Sequence, residues 1–267
     1  MRADRLLVAR GLAASRTLAQ RMIAAGAVRA AWQGREFTVN RGSAELPAGA
    51  DLSVSESAAT RFVSRGGLKL EAALARTAIP VSGLIALDVG ISTGGFADCL
   101  LRHGAARVVG IDVGHGQLAA ALRADSRLVA FEGINARSLE AADLGAEMPP
   151  QGFALVVVDV SFISLAKVIP ALSPLMAAQG EMLALVKPQF EVGPRGLGKG
   201  GIVTDPALIP GTRERIAAVC AAHALQCRDW FQSPIAGGDG NREYFVHARR
   251  TAGVGESAAA AVATRQP

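Results

Sequence analysis

The sequence predicts a doubly wound α/β sheet that ends in an antiparallel hairpin and follows a small α+β module. Three observations predict it. Apolar runs of strand length, "LIALDVG", "RVVGIDV", "RLVAFEG", "ALVVVDV" and "EMLALVKP", recur over 84–188 with helix-compatible segments between them. They are apolar throughout instead of alternating, as parallel strands covered on both faces are. The first 57 residues have a different rhythm, and the last strand-like pieces are joined by a Gly-rich loop.

Taken in order, residues 4–24 read as two short helices around Gly11. Leu6, Leu7, Leu12, Leu18, Met22 and Ile23 line an apolar face. Ser15 is placed to cap the second helix and Gly26 to end it. Arg10, Arg16 and Arg21 fall on the polar side. "AVRAAWQG", "REFTVN" and "DLSVSES" follow as short strands separated by Gly and Pro turns. Residues 58–68 read as a linker, where Arg61 and Arg65 continue a positive track. A helix, "LKLEAALART", then leads into the α/β region at 69–250. "CRDWFQSPI" and "GGDGNREYFVHARR" read as the closing hairpin, and residues 251–267 as a disordered tail.

Charge separates the two regions. Residues 1–69 hold 11 Lys/Arg against 5 Asp/Glu, whereas residues 70–267 hold 17 against 18. A basic module joined to a near-neutral one suits a polyanion contacted mainly by the N-terminal part, with Arg5, Arg10, Arg16, Arg21, Arg61 and Arg65 as its candidate contacts. The plainer reading is that these arginines only solubilise a small domain. No apolar run is long enough to span a bilayer, and the charged N-terminus is unlike a signal peptide, so the cytoplasm is the expected location. Cys99, Cys220 and Cys227 form no paired framework and read as buried free thiols. His103, His115, His223 and His247 never take metal-ligand spacing, so no metal is expected.

"LDVGISTGGFADCLL" (87–101) places an Asp and a Gly-rich turn between a strand and a helix. Glycines let backbone approach a ligand closely, and the helix start offers free N–H groups. The spacing is not that of a dinucleotide loop. Asp88-x-Gly90-x-x-x-Gly94 resembles the loop of S-adenosylmethionine-dependent methyltransferases. Asp88, Gly90, Ser92, Thr93, Gly94, Gly95 and Phe96 are thus candidate cofactor residues. Asp112 lies 22 residues after Gly90 at the end of the next strand, where a carboxylate grips ribose hydroxyls. Asn135, after the third strand, is placed to meet an adenine. "GPRGLGKG" (193–200) nearly matches a phosphate loop, but Gly200 stands where Ser or Thr would hold magnesium.

Only four of 28 basic residues are lysines: Lys69, Lys167, Lys187 and Lys199. Lysine can lose its proton when buried; arginine does not. In an open α/β sheet, ligands gather at the C-terminal strand ends. Asp159 and Lys187 each end a strand there, and Glu243 starts the antiparallel one. Lys69, on the preceding helix, can reach the same mouth. An ordinary salt-bridge cluster is the plain alternative.

These segments, with "RFVSRGGLKLEAAL", "GIDVGHGQL", "VVVDVSFISL", "ALVKPQFEVG", "GKGGIVTDP" and "DGNREYF", resemble the TlyA family over about 3–248. Residues 3–57 resemble the S-four-like RNA-binding domain. The "AAWQG" here departs from that domain's "VNG" hairpin. The α/β region is similar to FtsJ-type methyltransferases, which have a Rossmann-like sheet and a Lys-Asp-Lys-Glu tetrad. By position that tetrad falls on Lys69, Asp159, Lys187 and Glu243. The resemblance implies a ribosomal RNA cytidine 2′-O-methyltransferase that uses S-adenosylmethionine and no metal. It acts on both 16S and 23S RNA within ribosomal subunits in the longer members, and only on the large subunit in shorter ones. No membrane and no obligate protein partner are implied. A non-enzymatic ribosome-binding factor, a membrane-active haemolysin and a pseudouridine synthase remain alternatives at this stage.

Overall fold

The computed structural model describes residues 1–13, 15–55, 61–237 and 240–251. The chain divides into two compact units, Met1–Leu68 and Lys69–Pro267.

In the first unit, α1 (Ala3–Ala9) and α2 (Arg16–Ala24) precede a three-stranded sheet of β1 (Val28–Trp32), β2 (Arg35–Thr38) and β3 (Asp51–Val54). β1 is central and antiparallel to both neighbours, with Ala30 opposite Phe37 and Leu52. Leu6, Leu7, Met22 and Ile23 from the helices bury against Val28 and Val39, which is the apolar face read from the periodicity. Ser15 caps α2 by accepting from Leu18 N at 3.2 Å. Asp4 is buried. It accepts from Arg2 Nη2 at 2.9 Å, Gln20 Nε2 at 2.9 Å and Arg16 Nη2 at 3.2 Å. The Arg2 and then the Gln20 hydrogen bonds hold its carboxyl well below the usual range. Trp32 is partly open, with 38% of its surface exposed, so it is not the core residue its size suggests.

The second unit is built on a seven-stranded sheet of order β6-β5-β4-β7-β8-β10-β9. Its strands are β4 (Ile85–Val89), β5 (Arg107–Asp112), β6 (Leu128–Glu132), β7 (Phe153–Val158), β8 (Met176–Val186), β9 (Leu225–Gln232) and β10 (Tyr244–Arg250). Neighbours from β6 to β8 pair in parallel, whereas β10 runs antiparallel to both β8 and β9. The helices are α3 (Arg65–Thr77), which begins in the first unit and continues into the second, α4 (Gly95–Arg102), α5 (Ala120–Arg123), α6 (Ala141–Leu144), α7 (Ile169–Leu172) and α8 (Leu208–Ala222). Leu87, Val109, Val156, Val158, Met182 and Ala184 form the sheet's part of one buried core. Both faces of β7 are covered, which is why "FALVVV" contains no polar residue.

The expected strands and hairpin therefore appear, with α3 starting three residues before the helix read from the sequence. The thiol reading needs correction. Cys99 and Cys220 are buried, but Cys227 is exposed, because α8 ends at Ala222 and Cys227 lies on β9. The expected tail begins at Thr251, whose N–H donates to Ala224 O at 2.9 Å; residues 252–267 lie outside the described residues. So do residues 58–60 of the expected linker.

Candidate active site

Strand order reverses between β4 and β7, with β5 leaving on one side of β4 and β7 on the other. Such a switch point opens a crevice beyond the C-terminal strand ends. A cavity of about 490 Å³ lies there, lined by Gly90, Ser92, Asp112, Gln117, Asn135 and Asp159, among others. Ligand sites for small molecules commonly fall in this size range. Gly90 has φ +85°, and a Cβ there would stand 2.7 Å from Asp159 O, so this turn needs a glycine. Gly94 has φ +92° at the start of α4, where a Cβ would meet Leu122 Cδ1 at 2.3 Å. Asp112 accepts from Ser92 N at 2.8 Å through Oδ2 and from Gly114 N at 2.7 Å through Oδ1. Those bonds orient the carboxylate, and each oxygen keeps a second lone pair for a ligand hydroxyl. Asn135 accepts from Arg137 N at 3.0 Å and lines the cavity beside it.

Not every loop residue reaches the cavity. Asp88 is fully buried outside that lining, with no well-aligned hydrogen bond to either carboxylate oxygen, although the Ala97 N–H lies near. Burial, then the Asp159 charge, pushes its pKa well above the ordinary carboxylate value. Thr93, Gly94, Gly95 and Phe96 also lie outside the lining. Phe96 instead stacks on Phe245 in the interior, at 6.3 Å between centroids. A strand-turn-helix pattern shows which residues surround a ligand crevice but not which of them face it.

The four tetrad candidates form two ion pairs. Lys187 Nζ lies 2.6 Å from Asp159 Oδ1 and donates to Ser161 Oγ at 2.8 Å. The Asp159 contact is an ion pair without hydrogen-bond alignment, since Oδ1 makes no hydrogen bond. Lys69 Nζ donates to Glu243 Oε2 at 2.5 Å, and both residues are buried. The register explains the convergence. Tyr244 pairs with Val186 and Val158 with Ala184, so Glu243, directly before β10, lies where Lys187 follows β8 and Asp159 follows β7.

Several further residues shape the site. Phe162 projects with 91% of its surface exposed, at φ +63°, and lines the cavity. Its ring lies 5.2 Å from that of Phe190. Glu191 is buried and accepts from Ser164 Oγ at 2.7 Å, Leu165 N at 2.7 Å and Arg215 Nη2 at 2.9 Å. It thus ties the segment after Asp159 to the segment after Lys187. Gln117 accepts from Ser92 Oγ at 2.9 Å. Ser161 and Phe162 stand directly after the strand-end Asp159, a position that marks them as candidates. Nothing local to Glu191 or Gln117 announces their partners.

The arginines of the first unit divide. Arg10 donates to Ala50 O at 2.6 Å and Ala48 O at 2.5 Å, and Arg16 pairs with Asp4. Both are engaged within the unit. Arg5, Arg61 and Arg65 are exposed. Arg21 is half-buried, and burial followed by the Arg65 charge lowers its pKa.

Comparison with known proteins gives concordant results. Residues 62–250 match the family model described as FtsJ-like methyltransferase. The chain is 43% identical over 258 residues to the 16S/23S rRNA (cytidine-2′-O)-methyltransferase TlyA of Mycobacterium tuberculosis, covering 93% of this chain and 89% of that protein. It is 40% identical to Hemolysin A of Brachyspira hyodysenteriae over 191 residues, covering 70% and 76% of the two chains. A solved structure of a hemolysin-named protein from Streptococcus thermophilus superposes with a TM-score of 0.71 at 36% identity, over 94% of this chain and 88% of that one.

Proposed function

This chain belongs to the FtsJ-like methyltransferase family, and from that premise we propose that it methylates a cytidine ribose 2′-hydroxyl in 16S and 23S ribosomal RNA, using S-adenosylmethionine. The observation that carries this reading is the pairing of Lys187 with Asp159, 2.6 Å apart, at the strand ends beside the crevice.

The crevice fits the methyl donor. Gly90 brings backbone to its wall without a side chain, Asp112 offers lone pairs to ribose hydroxyls, and Asn135 stands on the adenine side. When bound, S-adenosylmethionine supplies an electrophilic methyl on a positively charged sulfur. The rest is work for the protein. A ribose hydroxyl is a weak nucleophile and must lose its proton as it attacks. Lys187 orients that hydroxyl and handles its proton, while Asp159 and Ser161 hold Nζ in place. The Lys69–Glu243 pair fixes the start of β10 and positions the ribose. Phe162 offers an exposed ring on which a splayed base can stack. The first unit is read as an S-four-like RNA-binding module, with the exposed Arg5, Arg61 and Arg65 as its candidate contacts. An rRNA substrate places the protein in the cytoplasm.

The test is transfer of label from radiolabelled S-adenosylmethionine to separated ribosomal subunits that lack the modification, wild type beside Lys187→Ala. Label in RNA with wild type only is the expected result and identifies the subunits modified. No label from folded wild-type protein overturns the reading and favours a non-enzymatic binding factor.

A further inference from the structure

A second cavity lies beside the same strand ends. It has a volume of about 250 Å³ and is lined by Pro188, Asp205, Ile209, Asn241, Arg242 and Tyr244, among others. Pro188 directly follows Lys187, and Arg242 and Tyr244 flank Glu243. Side chains alternate across an extended strand. Glu243, directly before β10, is turned to Lys69, whereas its two neighbours Arg242 and Tyr244 line this second cavity. Consecutive Cα atoms stand about 3.8 Å apart. The cavity therefore begins one residue from two members of the tetrad.

Its wall is a built structure. Leu197 bridges Val203, and buried Asn241 accepts from Val203 N at 3.0 Å and donates to Gly201 O at 3.2 Å. An asparagine 2% exposed thus holds the glycine-rich segment in place at the cavity rim. The Tyr244 ring packs on Trp230, at 5.7 Å and 23°, and also lines the cavity. Arg242 is exposed at the rim and makes no ion pair among the described residues. Asp205 Oδ1 accepts from Ala207 N at 2.9 Å, and Oδ2 has no intramolecular partner among the described residues.

An aromatic ring between apolar walls, an unpaired cation at the rim and one open carboxylate oxygen are the parts of a nucleotide site. Bases stack on aromatic rings, arginine takes a phosphate, and a carboxylate accepts from an exocyclic amino group. We propose that this cavity binds a base of the substrate RNA strand adjoining the methylated ribose. Tyr244 is its stacking surface, Arg242 its phosphate contact, and Asp205 favours amino-bearing bases over uracil. The proposal rests on the methyltransferase reading above and adds a site that fixes the strand on the far side of Lys187 and Glu243.

The test measures methyl transfer to unmodified ribosomal subunits by the full chain and by Arg242→Gln, Asp205→Asn, Tyr244→Ala and Tyr244→Phe. The expected result is a rise in KM for subunits of about tenfold or more in the first three, kcat within about threefold of wild type, unchanged calorimetric affinity for S-adenosylmethionine, and recovery in Tyr244→Phe. If Tyr244→Ala does not fold, the two polar rim variants decide the matter alone. An active wild type with KM unmoved in Arg242→Gln and Asp205→Asn overturns this site and leaves the methyltransferase reading standing. A wild type that transfers no label overturns both. A photocrosslinker at position 242 that maps to ribosomal protein instead of RNA overturns the nucleotide assignment.

Discussion

Lys69 and Glu243, 174 residues apart in the chain, meet at 2.5 Å with both side chains almost fully enclosed. Removing one partner of such a pair leaves a buried charge without compensation, which costs about 3–5 kcal/mol. Glu243→Gln is therefore expected to lower the melting temperature. Combining it with Lys69→Met should recover much of that loss and none of the methyl transfer. Recovery of activity in the double variant would show that the pair is structural only.

Lys187→Arg keeps the positive charge beside Asp159 but replaces a compact amine, a group that can give up and take a proton, by a guanidinium, which does not. The variant should fold and bind S-adenosylmethionine as wild type does. Its kcat should fall on the order of 100-fold or more, the usual scale for losing an acid–base group. Single-turnover rates at saturating subunits check this, and near-wild-type turnover removes Lys187 from the proton-handling role.

Glu191 predicts a different signature. Its carboxylate holds Ser164, Leu165 and Arg215, and the segment it anchors continues into Val160–Ile163 of the cavity wall. Glu191→Gln puts a donor where an acceptor is needed, a loss of roughly 1.5–3 kcal/mol for hydrogen bonds to a charged group. Weaker S-adenosylmethionine binding should accompany lower stability. A variant that is destabilised but binds the donor with full affinity would separate Glu191 from the site.

Cys227 supplies a pH dependence. The Cys220 thiol donates to it, and Arg213 lies nearby, so its pKa falls to about 7, whereas burial raises that of Cys99. Thiolate is the reactive form and grows as pH rises. Alkylation of the native protein should modify Cys227 first, with a rate that climbs through about pH 7 and levels off above it. Mass mapping of adducts from pH 5.5 to 9 checks this; labelling of Cys99 first, or a midpoint near 9, contradicts it.

The sequence by itself determined the strands, the switch from a helical to a strand period, and the placement of Asp159 and Lys187 at strand ends. Those are local properties: apolar runs and turn residues report on their own few neighbours. It also carried enough of the "DVGISTGG" pattern to mark the donor loop, and the Ser15 cap and Gly11 break were legible for the same reason.

What the tertiary structure decided is which side chains face inward and which meet. Asp88 and Gly90 are two residues apart, yet one is sealed in the core and the other lines the crevice. Lys69 found Glu243, and Glu191 found Ser164 and Arg215, through strand order and register that no window of sequence contains. Phe162, apolar and therefore expected inside, stands exposed because the turn after β7 holds it at positive φ above the cavity. Propensity acts along the chain, whereas desolvation and ion pairing act through space, and the candidate site depends on the second pair of forces.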